Sequence, residues 1–282
     1  DTDRSRGLGD VYKRQEQLSP ALLELGRPAR VYVPLEEVSR LEGLPGEGPE
    51  WCAVLPRVWR DRDEPALRTL LERARALGFT GVLIGNLGHL PLVRGLDFHL
   101  YGDYGLNVFN SRSLAYLKDK GLESACVSFE LRFAQIRDLK KVLRAEAIVY
   151  GRLPLMITEN CLVQNETGCR LDRQGPCVPE DGPCRCGRSS VLVDRTGAAF
   201  PLLPAYGHRT EIQNSKPLYL ADRPEHRRLG LAYARLRFTT ETAEECVSVV
   251  QNYLDAAPAA GDFTRGLYER GVESVSYTQL TL

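Results

Sequence analysis

The chain is poor in lysine, methionine, histidine and tryptophan, and it lacks long apolar stretches. Its 282 residues include 6 Lys against 31 Arg, 4 His, 2 Trp and 1 Met. No window approaches the roughly 18 consecutive apolar residues that a membrane-spanning helix needs, so no membrane partner is expected. Neither sign of charge is in excess: 37 basic and 37 acidic residues give a formal net charge of zero. A balanced chain has no overall field drawing it to nucleic acid or to an anionic bilayer, which lowers the expectation of RNA binding but leaves room for a local patch. The preference for arginine over lysine fits a GC-rich genome better than any function.

Several chemistry-bearing patterns are also missing. No glycine-rich dinucleotide fingerprint follows the first strand, and there is no Gly-x-Ser-x-Gly elbow, His-Glu-x-x-His helix or phosphate-cradling loop. The common nucleotide-binding, serine-hydrolase and zinc-peptidase signatures are therefore excluded. No apolar core of about 7–15 residues follows the first charges, so no secretory signal is read and the expected compartment is the reducing cytoplasm.

What is present is a chain with 43% apolar residues, enough for one large domain or two modest ones. Its ends look foreign: "DVYKRQ" near the start and "SVSYTQLTL" at the end resemble the translation of a sequencing-library adapter read on opposite strands. Asp1 to Gln15 and Ser274 to Leu282 are accordingly set aside as adapter sequence, and the chain reads as an assembled fragment.

From Glu16 to about Ile157, short apolar runs alternate with helical patterns. Ala29 to Leu35, Trp51 to Trp59, Gly81 to Gly88, Gly105 to Asn110, Ser124 to Leu131 and Glu146 to Gly151 read as strands. Glu64 to Gly78 has leucines and alanines at three-to-four spacing and stops at a glycine, as an amphipathic helix does; Ser111 to Gly121 and Arg132 to Arg144 repeat the design. Strand–helix alternation of this kind predicts a parallel α/β sheet with right-handed crossovers. Without a dinucleotide fingerprint, the expected fold is a partial (β/α) TIM-type barrel over 16–157 whose earlier strands are missing. A Cys-rich metal-binding loop over 158–195 and a mixed α/β C-terminal segment over 196–273, with a helix at Thr242 to Ala257, are expected to follow.

In a parallel barrel the loops after the strands converge on one face, so polar residues there are candidates for function. Asn86, Asn107, Asn110, Glu130, Tyr150 and Arg152 fall at such places. For Asn86 and Asn110, capping of the next turn or helix is the simpler reading. Glu130 follows an apolar strand and needs a partner, for which Arg152 is the natural choice; a structural ion pair and a catalytic or substrate-binding role weigh equally. Asp103, between glycines, reads as a turn residue, and His89 and His99 read as structural.

Five of the eight cysteines, Cys161, Cys169, Cys177, Cys184 and Cys186, fall within 26 residues rich in Gly and Pro. Their spacing lacks the Cys-x-x-Cys pairs of a zinc ribbon and suits an iron–sulfur cluster better, with zinc as the alternative. Cys52, Cys126 and Cys246 lie in apolar patterns and read as small core side chains.

The segments "GDYGLNVFNS", "VSFELRFAQI", "YGRLPLMITENC", "LVDRTGAAFPLL" and "EIQNSKPLYLAD" together resemble the C-terminal part of the peptidase U32, or collagenase-like, family, in particular its long members with a DUF3656 region. The resemblance runs from about Arg30 to Val272. It implies a (β/α) barrel and either of two activities: collagenase-type proteolysis, or hydroxylation of a pyrimidine in transfer or ribosomal RNA by members with a four-cysteine iron–sulfur cluster, expected here to be 4Fe-4S. Carried over, it places Cys161, Cys169 and Cys186 as ligands, with Cys184 as fourth and Cys177 or His208 as alternatives, because an insertion around Cys177 departs from the family pattern. It implies Asn107, Glu130 and Arg152 as pocket residues. RNA, a small carboxylate cosubstrate and the missing N-terminal half of the same protein are the implied partners. A non-catalytic, metal-bound docking module is the third reading.

Overall fold

The computed structural model describes residues 7–11, 17–44, 48–164 and 190–272, the first of these as backbone alone. Eight parallel strands form its centre: β1 (Gly7–Val11), β2 (Arg30–Pro34), β3 (Glu50–Val54), β4 (Gly81–Ile84), β5 (His99–Gly102), β6 (Ser124–Cys126), β7 (Arg144–Gly151) and, much later in the chain, β13 (Tyr233–Arg237). Each pairs with two neighbours. β1 to β6 follow in order, β6 pairs with β7, and β13 lies between β7 and β1. The strand–helix alternation predicts a partial TIM-type barrel; the TIM type holds, and the pairings join these strands into a ring. Two of its strands come from outside the span expected to form it: β1 from the opening segment and β13 from the C-terminal segment.

The outer layer consists of α1 (Pro20–Gly26), α2 (Leu35–Val38), α3 (Glu64–Ala76), α4 (His89–Val93), α5 (Ser111–Asp119), α6 (Phe133–Asp138) and α7 (Ala243–Leu254). In α3, Leu67, Leu71 and Ala74 recur at three-to-four spacing and all three are buried against the sheet. Asn110 caps α5 by accepting from the backbone N–H groups of Arg112 and Ser113, and Asn86 accepts from that of Gly88. Both amides thus have the capping role.

Two segments differ from the sequence expectation. Gly105 to Asn110 is a short 3-10 turn (Tyr104–Leu106) with a single bridge at Val108, and the strand lies just before it, where His99 begins β5. Asn107 takes φ +48°, which ends the turn and prevents an extended run. The helix expected over Arg132 to Arg144 stops at Asp138, because Arg144 already belongs to β7.

Packing is divided between two surfaces. The main core lies between strands and helices and contains Val31, Val33, Ala53, Val82, Ile84, Ala145 and Leu114. The opposite strand faces point into the lumen, where Tyr32, Cys52, Leu83 and Tyr101 form a separate apolar cluster. An eight-stranded ring is just wide enough for side chains to fill it, and much of this filling is charged.

A second sheet follows the barrel. β8 (Pro154–Thr158), β9 (Val191–Val193), β10 (Ala199–Ala205) and β11 (Arg209–Gln213) pair antiparallel in the order β8-β11-β10-β9. The Cys-rich segment connects β8 to β9. β12 (Leu218–Tyr219) returns to pair antiparallel with the end of β7.

Candidate active site at the C-terminal mouth

The lumen holds an ionic column. Arg235, 1% exposed, donates through Nε to Glu146 at 2.9 Å and also pairs with Asp103, while Tyr32 donates its hydroxyl to Glu146 at 3.3 Å. Nearer the other end, Arg30 pairs with Glu50 at 3.0 Å, donates to the Ser124 hydroxyl at 2.8 Å and lies 3.6 Å over the Tyr101 ring. Burial and the Glu146 carboxylate push the Tyr32 hydroxyl well up, so it remains a donor. Asp103 is thus more than a turn residue: its carboxylate also accepts from the Tyr104 backbone N–H.

At the C-terminal ends of the strands this column meets the second sheet. Arg237 donates to Glu211 at 3.0 Å, to the Gln213 side-chain carbonyl at 2.8 Å and to the Arg152 backbone carbonyl at 2.6 Å. Tyr104 donates its hydroxyl to Glu211 at 3.5 Å. The Arg57 guanidinium, half-buried in the loop after β3, lies 5.2 Å from the Tyr104 ring centre. Burial works against its charge, but Tyr104, Glu211 and Asp103 together outweigh burial and raise its basicity, so it stays charged. Two register shifts border the group, one at Ile212/Gln213 in β11 and one at Arg235/Leu236 in β13. Bulges gather at barrel rims and beside active sites because they re-aim side chains.

The covering sheet is also tied to the barrel near the cysteine segment. Glu159 accepts from Arg60, in the loop after β3, and from Arg209, each at 3.0 Å, and both contacts hold its carboxyl below the usual range. Arg209 further donates to the carbonyls of Tyr206 and Val58. Cys161, two residues beyond Glu159, is half-exposed and borders the small apolar cluster of Val163, Leu202 and Ile212. Cys169, Cys177, Cys184 and Cys186 lie outside the described residues. Among the described residues no set of His, Cys, Asp and Glu side chains gathers as a metal site.

The other sequence-predicted residues are placed as follows. Arg152 donates to the backbone carbonyls of Asn214 and Ser215. The expected Glu130–Arg152 ion pair is therefore a correction: Arg152 is turned to the connection after β11, while Glu130 is half-exposed in the turn after β6, its backbone N–H donating to Ser128. Asn107 is exposed, and its backbone N–H closes the turn onto the Tyr104 carbonyl at 3.0 Å. Tyr150 donates to Glu241 at 3.1 Å, within an aromatic group that includes Tyr219 and Tyr253. His208 sits buried in the tight turn between β10 and β11 at φ +57°. His99 meets Glu123 on the surface, and His89 bridges the Gly85 N–H and the Pro56 carbonyl. The mouth residues Arg57, Glu211, Gln213 and Arg237 escaped the sequence reading. For Glu211, Gln213 and Arg237 the one signal was charged or amide residues at alternating strand positions, as in "RTEIQ" and "YARLR"; Arg57, in a loop, carried none.

A closed (β/α) barrel with its charged residues converging on the C-terminal mouth is the architecture of a barrel enzyme, whose chemistry is built at that end. Residues 47–218, more than half of the chain, match the model of Peptidase family U32. The protein belongs to peptidase family U32. Among solved structures it is similar to the U32 peptidase Mk0906, at 12% identity and a TM-score of 0.43, covering 86% of this chain and 97% of that one. It is also similar to CutC from Streptococcus agalactiae, at 14% identity and a TM-score of 0.37, covering 50% of this chain and 87% of that one. No curated protein matches it in sequence. No helix among the described residues is long and apolar enough to cross a membrane.

Proposed function

We propose that this protein is an iron–sulfur-dependent enzyme, or the C-terminal half of one, that hydroxylates a pyrimidine base of transfer or ribosomal RNA at the C-terminal mouth of its barrel. One observation carries the reading: at the start of the Cys-rich segment Glu159 pairs with Arg60, on the loop after β3 that also carries Arg57, and Cys161 follows two residues later. A cluster held by Cys161 together with Cys169, Cys184 and Cys186 would lie next to substrate. The donor chemistry fits, because Cys161 is half-exposed whereas Cys52, Cys126 and Cys246 are sealed in the core. When bound, such a cluster supplies one-electron transfer.

The protein's own residues bind and orient. Arg57 is charged and half-buried, and its planar fork suits a phosphate or the carboxylate of a small cosubstrate. Replacing a pyrimidine C–H by C–OH with oxygen from water releases two electrons and two protons, so a cosubstrate that accepts them belongs to this reaction. Glu211 and Tyr104, joined by a hydrogen bond, are the groups placed to hold a proton at the mouth.

The family description favours a second reading, a collagenase-like peptidase. Against it, burial pushes the thiols of Cys52 and Cys126 upward, leaving both as protonated, inert side chains. The test is anaerobic purification with iron, sulfide and zinc assays, followed by mass spectrometry of RNA treated with the protein. About four irons with matching sulfide, lost together with RNA hydroxylation in Cys161→Ser, is the expected result. A colourless protein holding one zinc would overturn it in favour of a structural metal and a docking role. Cleavage of collagen-like chains that survives Cys161→Ser would instead establish the peptidase.

A further inference from the structure

Gln213 is fully buried, and its amide is fixed. The carbonyl oxygen Oε1 accepts from Arg237 Nη1 at 2.8 Å, so a flipped amide would set N–H groups against a guanidinium. Among the described residues, the two N–H donors of the amide nitrogen Nε2 meet no acceptor. An unmet buried donor is costly, on the order of 1–3 kcal/mol, and is retained where something outside the chain meets it. The register shift at Ile212/Gln213 marks the same residue independently, since a bulge re-aims the side chain it carries.

We infer that Gln213 is the substrate-reading donor of the mouth: its Nε2 receives a ring carbonyl oxygen of the pyrimidine base, with Arg237 as the residue that orients it. This assignment rests on the RNA reading and deepens it. A pyrimidine is flat and uncharged and carries ring carbonyls that accept from an amide N–H. Arg57 beside the Tyr104 ring offers a guanidinium plane for stacking or for the adjoining phosphate. The neighbouring Glu211 carboxylate makes a neutral acceptor a better occupant than an anion.

The test compares binding of a labelled single-stranded oligouridylate with an abasic ribose–phosphate chain of the same length, by fluorescence anisotropy, for the wild type, Gln213→Glu and Gln213→Met. Gln213→Glu keeps an acceptor for Arg237 and removes the donor; Gln213→Met removes both and guards against an effect of the added charge. The wild type is expected to favour the uridylate by about tenfold, the worth of a well-placed hydrogen bond and a stacked ring. Both folded variants should reduce that ratio to near one while binding the abasic chain as their charge dictates. A ratio that survives in both variants, or a wild type without base preference, overturns the assignment. If only binding of a collagen-like peptide depends on Gln213, the residue receives a peptide carbonyl and the pyrimidine assignment falls. A base preference lost in the variants of a protein that holds no iron would sustain the role of Gln213 and sink the hydroxylase reading alone.

Discussion

Arg235 Nη2 lies 2.7 Å from Glu146 Oε2 inside the barrel, with 1% and 0% of the two side chains exposed. The same guanidinium also pairs with Asp103. Removing one partner of such a pair leaves an uncompensated buried charge, which costs far more than the pair itself contributes. Glu146→Gln is therefore expected to destabilise the protein by on the order of 3 kcal/mol, read as a lower urea midpoint with an unchanged slope. A midpoint equal to that of the wild type would show that water reaches the lumen.

His89 is buried with Nδ1 accepting from Gly85 and Nε2–H donating to Pro56, an arrangement that only the neutral ring can make. Burial lowers its pKa from 6.5 to about 4. The unfolded chain therefore binds a proton between about pH 6.5 and 4 that the folded chain refuses, and stability falls as pH drops through that window. The contribution is fully present above pH 6.5 and amounts to about 3 kcal/mol at most. His89→Gln should flatten the pH dependence of the melting temperature in this range; an unchanged slope would remove His89 as its source.

Gly151 takes φ +117°, and a Cβ built there would collide with the Arg237 carbonyl oxygen. Gly151→Ala is expected to cost at least about 2 kcal/mol through strain and displacement of β13. Gly43, with open space around it, is the control, and Gly43→Ala should change stability by no more than about 0.5 kcal/mol. Equal melting temperatures for the two variants would show that β7 and β13 part more easily than their pairing implies.

Thiol labelling followed by peptide mass mapping should separate the cysteines by burial. Cys52, Cys126 and Cys246 are sealed, whereas Cys161 is half-exposed. In native, metal-stripped protein Cys161 is expected to react at least tenfold faster than these three, because access and thiolate fraction set the rate. Comparable rates would mean that the core opens on the labelling timescale.

The outer layer of this fold was legible because its chemistry is local. Leu67, Leu71 and Ala74 repeat along one helical face, and Val82 and Ile84 form a continuous apolar strand. The lumen was not legible for the opposite reason. In β13 the inward positions are Arg235 and Arg237, so "YARLR" reads as a half-exposed strand although both arginines are sealed from water. Their partners Glu146, Asp103 and Glu211 lie far away in the chain, and no spacing rule connects them. Asn107 and Glu130 were identified from their position after strands, yet one is exposed and the other half-exposed, while Arg57 and Gln213 were overlooked in strands and loops that appeared ordinary.

The placement of β13 also governs how the ring can form. Gly7 pairs with Tyr233, and Glu146 pairs with that same Tyr233 from the other side. As the chain is synthesised, β2 to β7 can assemble by successive short crossovers, but the free edges of the growing sheet have no partners until the last strand is made. Long-range closure of this kind is slow and leaves hydrogen-bonding edges open to other chains. Arg235 and Arg237 enter with β13, so the barrel becomes electrically balanced only in the step that seals it. Until β13 arrives, Glu146 and Asp103 lack the guanidinium that pairs with both in the folded protein.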